Sequence, residues 1–396
     1  MHFYKNIRYL YLMVFFHNLI FAYVIERLFA LERGMTVQLV VYTEIIYALV
    51  ITLFVVPAGI MADKFGRKPL IVMSTFLMCL EFAVLIPARG FWLFGLSALI
   101  AGFGGSFMGG TWNSLLYDSL LSCGKQDSFE KILGRMEAVN FVAAIIAGLS
   151  GAFLAQRFGF SFNYWLSVIS VSIAFLLSLK LAEPPKSLKK EEEKAGIREI
   201  ISSAYAFFKT NPDVLRIVLN VVLIASVVNY VDEFWQIYLD DISFPLVLFG
   251  IVSLALTLVQ IPGALLASKM LKYYSHQALI IFTSFLIALG IIWAAFMQSA
   301  LGAFGIALMG FAYALMNPIA EGYLHRRADP NARATIESVE SMMERILTIG
   351  VGFLFGFLST RYSIFAGFWF LGSLAVFICV IFSMLRLLTR KPHSSS

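Results

Sequence analysis

The sequence predicts an all-α membrane protein whose twelve transmembrane helices form two related bundles of six. Three observations support this fold class: the composition, the length of the apolar runs and an internal repeat. Hydrophobic residues make up 60% of the 396-residue chain and charged residues only 14%, whereas the surface of a water-soluble globule needs far more charge. The composition therefore predicts a chain that lies in a lipid bilayer.

Twelve apolar runs are long enough to cross a bilayer. An α-helix rises about 1.5 Å per residue, so about 20 apolar residues span the roughly 30 Å hydrocarbon core. We number the runs spans 1 to 12 in chain order, and they lie at residues 9–29, 37–60, 70–88, 92–114, 137–157, 162–182, 213–236, 245–267, 278–297, 301–323, 335–358 and 363–386.

An internal repeat relates the two halves of the chain. The segment Val56–Lys64, which reads VPAGIMADK, aligns without gaps with Ile261–Lys269, which reads IPGALLASK. The repeat predicts a bundle at residues 1–183, a linker at 184–211, a second bundle at 212–390 and a tail at 391–396. Two such halves that rock against each other around a central site are typical of secondary transporters.

The linker is marked by an abrupt change of composition. Pro184-Pro185 ends span 6, and a run rich in Lys and Glu follows. Apolar residues then recur at helical spacing, namely Ile197, Ile200, Ile201, Ala204 and Phe208. This pattern predicts an amphipathic helix that lies at the membrane interface and tethers the two bundles.

The basic residues predict the orientation of the chain. The formal net charge is +6, and the Lys and Arg residues concentrate on one side of the predicted membrane. Only five fall on the opposite side, namely Arg27, Arg33, Arg89, Arg157 and Arg361, while Arg345 falls within a span. The asymmetry indicates a multi-pass protein of the cytoplasmic membrane with both termini in the cytoplasm. The asymmetry also accounts for the positive net charge, so we expect no nucleic acid as a partner.

The segment Gly59–Pro69, which reads GIMADKFGRKP, lies between spans 2 and 3. Gly59 and Gly66 allow a tight turn there. Asp63 can accept hydrogen bonds from amides at a helix N-terminus, and Arg67 and Lys68 offer positive charge to carboxylates. The segment is therefore a candidate conformational latch, although it could instead anchor to anionic lipid headgroups.

In this pattern of glycine, Ala-Asp and Gly-Arg-Lys, residues 59–68 closely resemble the loop motif of the major facilitator superfamily, which lies between the second and third of its twelve helices. Gly110–Leu120 and Arg333-Ala334-Thr335 resemble the branch that holds many bacterial drug-efflux proteins. The chain departs from that branch at Val55 and Asn113, because members of the branch often carry acidic residues at these positions. The segment Gly148–Gly151 also lacks the Gly-Pro that the antiporters of the branch carry.

The resemblance implies that Asp63 docks against the start of span 11 and that Arg67 joins a charge cluster. Arg333 and Asp118 are the candidate partners. Glu337, Glu340 and Glu344 form one stripe along span 11, because seven residues return a helix to nearly the same face. We assign Glu337 and Glu340 to a structural gate.

Acids within the spans are candidates for proton coupling, because a carboxylate in the bilayer is costly. The candidates are Glu26, Glu44, Glu81, Asp232, Glu233 and Glu344. Glu26, Asp232 and Glu233 occupy corresponding positions near the ends of spans 1 and 7. These three could instead form a solvated salt bridge, with Arg27 and Arg33 as neighbours.

Uncharged polar residues within the spans are candidates for the substrate cavity: His17, Asn18, Asn140, Asn229, Gln260 and Asn317. Asn229 and Asn317 are preferred, because the resemblance implies that spans 7 and 10 face the centre. The alternative is that these groups only hold helices together by hydrogen bonds.

The sequence predicts a secondary active transporter and not an enzyme. We expect no cofactor and no metal, because the chain has no phosphate-binding Gly-Lys-Ser/Thr loop and its three cysteines show no metal-ligand spacing. We expect a monomer that exports a small amphipathic, drug-like molecule in exchange for protons. The alternatives are an uptake symporter or lipid flippase of the same fold, a membrane-embedded enzyme acting on lipid, and a receptor.

Overall fold

The computed structural model describes residues 4–184, 205–327 and 333–389. These residues form helices and no strand, and twelve of the helical stretches are long and apolar enough to cross a membrane. The predicted fold class is therefore confirmed. Of the predicted linker helix, residues 205–210 are helical, whereas Ile197, Ile200, Ile201 and Ala204 lie outside the described residues.

The helices follow the predicted spans in order. Their bounds are Tyr4–Asn18 and Glu26–Glu32 for span 1, Val37–Phe65 for span 2, Arg67–Leu85 for span 3, Gly90–Met108 and Thr111–Leu121 for span 4, Phe129–Phe158 for span 5, Phe160–Leu179 for span 6, Pro212–Asp241 for span 7, Phe249–Met270 for span 8, His276–Met297 for span 9, Ala303–Arg327 for span 10, Arg333–Arg361 for span 11 and Ile364–Thr389 for span 12.

Spans 1 and 4 are broken, which the apolar runs did not predict. His17 and Asn18, expected near the middle of an unbroken helix, lie at the end of the first segment of span 1, and a 3₁₀ turn at Tyr23–Ile25 precedes the second segment. Span 4 breaks at Gly109 and Gly110, and Gly110 has a φ of 70°. A left-handed residue ends an α-helix, and glycine adopts that conformation without steric cost.

The turn predicted at Gly59 is wrong. Span 2 continues as one helix to Phe65, with both Pro57 and Gly59 inside it. The chain turns only at Gly66, where φ is 98°. An apolar run ends where charge begins, but the backbone hydrogen bonds of a helix continue past that point, so the helix extends beyond the span predicted from hydropathy.

The chain divides into two compact units. The first contains Met1–Lys190 and Pro245–Leu254, and the second contains Glu191–Phe244 and Ala255–Ser396. In the first unit, side chains from spans 1, 3, 4, 5 and 6 form one buried apolar core: Ile7, Leu10, Met13, Ile71, Leu115, Leu116, Leu120, Met136, Ala174 and Leu181. This core supports the polar residues at the end of the unit where span 3 begins.

In the second unit, spans 9 and 10 pack with their backbones in contact. A Cβ atom added to Gly290 would meet the carbonyl oxygen of Gly305 and lie 3.0 Å from the amide nitrogen of Met309. A Cβ atom added to Gly305 would likewise meet the carbonyl oxygen of Gly290. Small residues allow such close approach of helices in a membrane.

We expect Gly290→Ala to destabilise the protein by about 1–3 kcal/mol. The added methyl group meets backbone atoms, and these cannot move aside as a side chain does when it changes rotamer. The measurement is the midpoint of thermal unfolding of the purified chain in detergent. Gly350→Ala is the matched control, since a Cβ atom there has no atom within 4 Å. A midpoint for Gly290→Ala equal to that of Gly350→Ala would contradict the prediction.

Candidate functional site

The turn between spans 2 and 3 requires a glycine for two reasons. Gly66 has a φ of 98°, a conformation that other residues rarely adopt. A Cβ atom at this position would also lie 2.8 Å from the Cδ atom of Glu183. The carboxylate of Glu183 can therefore approach the start of span 3 only because residue 66 has no side chain.

Glu183 caps the N-terminus of span 3. Its Oε1 atom accepts a hydrogen bond from the amide of Arg67 at 2.7 Å, and its Oε2 atom accepts one from the amide of Lys68, also at 2.7 Å. The first amides of a helix have no partner within the helix, and the helix dipole favours a negative charge there. The carboxylate thus ties the residues that follow span 6 to the start of span 3.

The side chain of Arg67 connects span 3 to the second segment of span 4. Its guanidinium group forms an ion pair with Asp118 and donates a hydrogen bond to the carbonyl oxygen of Ser114 at 2.5 Å. The side chain of Asp118 is only 8% exposed. We call Gly66, Arg67, Ser114, Asp118 and Glu183 the Arg67 cluster. The structure thus brings together two residues, Arg67 and Asp118, that the sequence suggested as partners.

Asn6 extends this connection to span 1. Its Nδ2 atom donates to the hydroxyl oxygen of Ser119 at 2.9 Å and to the carbonyl oxygen of Ala182 at 2.8 Å, and its Oδ1 atom accepts from the amide of Ala182 at 2.8 Å. Asn6 is buried, with 1% of its surface exposed. Because Ser119 and Ala182 are the chain neighbours of Asp118 and Glu183, Asn6 holds the same two segments as Arg67.

A second polar cluster of the first unit surrounds Arg27. The side chain of Arg27 is 7% exposed, and its guanidinium group pairs with Glu44 at 2.7 Å and with Glu26 at 3.3 Å. The side chains of Glu26 and Glu44 are 39% and 31% exposed. The base is therefore buried, while both acids reach accessible space.

Two further polar side chains, those of Glu81 and Tyr164, lie near these three residues. Glu81, which is half-buried, interacts electrostatically with Glu26. Tyr164 is buried and interacts with Glu26, Arg27 and Glu81, and its hydroxyl group has no hydrogen-bond partner among the described residues. We call these five residues the Arg27 cluster. Within it two carboxylates pair with one guanidinium group, and a third carboxyl group lies near Glu26.

A third cluster lies in the second unit, around Tyr313 of span 10. The hydroxyl group of Tyr313 hydrogen-bonds with the side chain of Asn317 and interacts electrostatically with Glu344, Asp232 and Glu340. We call these five residues the Tyr313 cluster. It brings together four of the predicted site residues, from spans 7, 10 and 11.

Hydrogen bonds between spans 7 and 11 position this cluster. The hydroxyl group of Tyr230, two residues before Asp232, donates to the carbonyl oxygen of Thr348 at 2.9 Å. The hydroxyl group of Thr348 donates to that of Ser226 at 3.2 Å. Thr348 lies one turn from Glu344, so these bonds fix the register that places Glu344 and Asp232 near Tyr313.

Other predicted cavity residues do not join these clusters in the described contacts. Asn18 and Asn140 bond within their own helices, to the carbonyl oxygen of Val14 at 2.9 Å and to the carboxylate of Glu137 at 3.4 Å. Gln260 packs against Gly310 of span 10, His17 is half-buried and Asn229 is exposed.

The remaining predicted residues lie as follows. Asp63 is exposed, and Lys68 and Glu233 are half-buried. Arg333 begins the helix of span 11 as predicted, but its side chain and that of Glu337 lie outside the described residues. Among the described residues, no three His, Cys, Asp or Glu side chains are grouped so that they could hold a metal ion.

The sequence reasoning missed Asn6 and Glu183. It named Arg27 only as a neighbour of Glu26 in a possible salt bridge or solvated face, and it missed the pairing of Arg27 with Glu44. Asn6 and its partner Ala182 are 176 residues apart, and no local pattern connects them. For Arg27 a signal did exist, because Glu26-Arg27 stands at the end of an apolar run and Glu44 lies inside the next one.

Comparison with known proteins agrees with this fold. A family model described as Major Facilitator Superfamily matches residues 10–349. The uncharacterized MFS-type transporter YxaM of Bacillus subtilis is 22% identical over 335 residues, which cover 80% of this chain and 79% of that protein. An uncharacterized transporter of Buchnera aphidicola is 27% identical over 168 residues. That match covers 41% of this chain and 41% of the length of the relative.

Among solved structures, the nucleoside transporter NupG is similar with a TM-score of 0.75. The alignment covers 99% of this chain and 100% of that chain. The sequence identity is 14%, so this likeness concerns the fold alone.

We expect Glu183→Ala to free the amides of Arg67 and Lys68, because the carboxylate that caps them is removed. Hydrogen exchange at these two amides becomes faster, and the stability of the protein falls by about 0.5–2 kcal/mol, the usual loss for a helix cap. Glu32→Ala, at the exposed last position of span 1, is the control and leaves both amides protected. Unchanged exchange at residues 67 and 68 in Glu183→Ala would show that the cap contributes nothing.

We expect Arg27→Met to destabilise the chain by about 3–5 kcal/mol, because the acids lose their buried partner. The double variant Arg27→Met with Glu44→Gln regains most of this loss, since it also removes an orphaned carboxylate. Thermal unfolding of the two single variants, the double variant and the wild type measures the coupling. Arg89→Met, at an exposed position, is the control. A double variant no more stable than Arg27→Met refutes the coupling.

Proposed function

The chain belongs to the Major Facilitator Superfamily and is a transporter, and on that premise we propose that it exports a small amphipathic organic molecule across the cytoplasmic membrane in exchange for protons. Transport proceeds by alternating access. The relatives are transporters, so the alternative of a membrane-embedded enzyme is set aside.

The observation that carries proton coupling is the composition of the Arg27 cluster. Glu26 and Glu44 pair with the buried base Arg27, and the carboxyl group of Glu81 lies near Glu26. Charges that lie close together in a membrane protein repel one another strongly when they share a sign, because the surroundings screen them poorly. Binding one proton relieves this repulsion and leaves Arg27 neutralised, so a proton is the natural ligand of the surplus acid.

A cationic amphipathic molecule competes with the proton for the same carboxylates. Glu26 and Glu44 are both partly exposed, so a ligand can reach them while Arg27 stays buried. A site that accepts either a proton or a cation, but not both, exchanges one for the other. The Tyr313 cluster, with Asp232, Glu340 and Glu344 around one phenol, gives the second unit an acidic site of the same kind.

The direction of transport rests on the resemblance of Gly110–Leu120 and Arg333-Ala334-Thr335 to the drug-efflux branch. The distribution of Lys and Arg supports cytoplasmic termini, and we propose that the chain acts as a monomer. The rival direction is proton-driven uptake. Because a nucleoside transporter has the same fold, we choose uridine as the probe for uptake. Lipid flipping is the second rival, and a fluorescent phospholipid is its probe.

We expect ethidium or tetraphenylphosphonium to release protons from acidified inside-out vesicles that contain the wild-type chain. The measurement is the fluorescence of a dye that is quenched while the lumen is acidic. Glu44→Gln and Glu81→Gln lower the proton release to the level of vesicles without the protein, because the surplus charge that binds the proton is gone. Glu32→Gln, which removes an exposed acid of span 1, leaves the release intact.

Three outcomes overturn parts of this proposal. Proton release that survives both Glu44→Gln and Glu81→Gln refutes coupling through the Arg27 cluster. Accumulation of uridine driven by external acid, without a response to either cation, refutes export. Movement of the fluorescent phospholipid between leaflets, without proton release by either cation, identifies a flippase.

A further inference from the structure

A groove in the second unit lies apart from the acidic clusters. It lies between the start of span 7, the start of span 9 and the end of span 12, and it is open to its surroundings on one side. Asn220 in its wall is twelve residues from Asp232, which is about 18 Å along the helix axis. The residues that line the groove are Asp213, Arg216, Ile217, Asn220, Gln277, Ile280, Ile281, Phe382, Leu385 and Arg386.

The lining is polar at one end and apolar at the other. The polar groups Asp213, Arg216, Gln277 and Arg386 lie within the terminal turns of their helices, while Ile280 and its apolar neighbours lie deeper. The three helices present these residues at spacings of three and four, so each contributes one continuous stripe. A ligand that fits this lining has a polar head at the helix ends and an apolar tail along the spans.

The charge at the polar end is positive. Arg216 and Arg386 line the groove together with the single acid Asp213, which bonds to Arg216 at 3.1 Å. A guanidinium group has five N–H donors, so Arg216 has further donors beyond that bond. Arg327 of span 10 adds positive charge nearby, since it stacks on Tyr323 at 4.5 Å and that ring lies 5.5 Å from His276, the neighbour of Gln277. An anionic head is therefore favoured.

Asn220 lies beneath the groove. It is 2% exposed, and its side chain hydrogen-bonds with the hydroxyl group of Ser284 at 2.9 Å. The same hydroxyl group lies 2.8 Å from the carbonyl oxygen of Ile280. These contacts tie span 7 to span 9 at the floor of the groove. Asn220 lies one turn deeper than Arg216, about 6 Å along the axis.

We infer that this groove binds an anionic phospholipid. The phosphodiester lies between Arg216 and Arg386, and an acyl chain follows Ile280 and Phe382. The match is one of charge and polarity, because the arginines lie at the helix ends and the apolar residues lie deeper. Basic pockets between transmembrane helices recognise anionic headgroups by the same electrostatics.

The test uses the full-length chain, purified in detergent and stripped of lipid. Phosphatidylglycerol, phosphatidylcholine and inorganic phosphate are added separately, and the thermal unfolding midpoint and the lipid-bound mass are measured. We expect phosphatidylglycerol to bind and to raise the midpoint more than phosphatidylcholine. The double variant Arg216→Gln with Arg386→Gln weakens phosphatidylglycerol binding by about tenfold or more, as expected for the loss of charge-assisted hydrogen bonds.

Two variants separate binding from folding. Arg216→Lys keeps the charge and retains most of the affinity. Arg361→Gln removes an exposed arginine elsewhere in the second unit and changes nothing.

The inference is overturned by either of two results. Equal stabilisation by phosphatidylcholine would show that the charge plays no part. Equal stabilisation by inorganic phosphate would identify a free anion as the ligand instead of a lipid.

Discussion

A polar group within a bilayer must find its partner inside the protein, and the arrangement of this chain follows from that constraint. Arg27 shows it most directly. Its guanidinium group is buried in a chain that is 60% hydrophobic, and carboxylates from two spans reach it. The pairing of Glu26 and Glu44 with one base fixes how spans 1 and 2 lie within the first unit.

The polar clusters differ in how well their charges are matched. The groups of the Arg67 cluster pair with one another: Glu183 caps two amides, and Arg67 neutralises Asp118. A matched network of this kind holds helix ends in place. In the Arg27 and Tyr313 clusters, as defined above, the acids outnumber the bases. This difference is why we propose that the two acidic clusters, and not the Arg67 cluster, exchange a proton or a cation.

The sequence predicted the twelve spans, the pairing of Arg67 with Asp118 and the start of span 11 at Arg333, since hydropathy and motif spacing are local properties. It failed where the partner is remote. Glu183 follows span 6 and caps span 3, more than one hundred residues earlier in the chain. The breaks of spans 1 and 4 were missed as well, because Asn18 and Gly109-Gly110 interrupt the backbone without interrupting the apolar run.

What the sequence alone determined is the environment of the chain, the number of its spans and the inventory of acids within them. The hydrophobic length of a segment and the cost of a buried charge depend only on the residues present. The tertiary structure decided which acids share a base, which carboxylate caps span 3 and where a groove collects two arginines. Those outcomes depend on the rotation and register of each helix against its neighbours, which side-chain packing sets across distant parts of the chain.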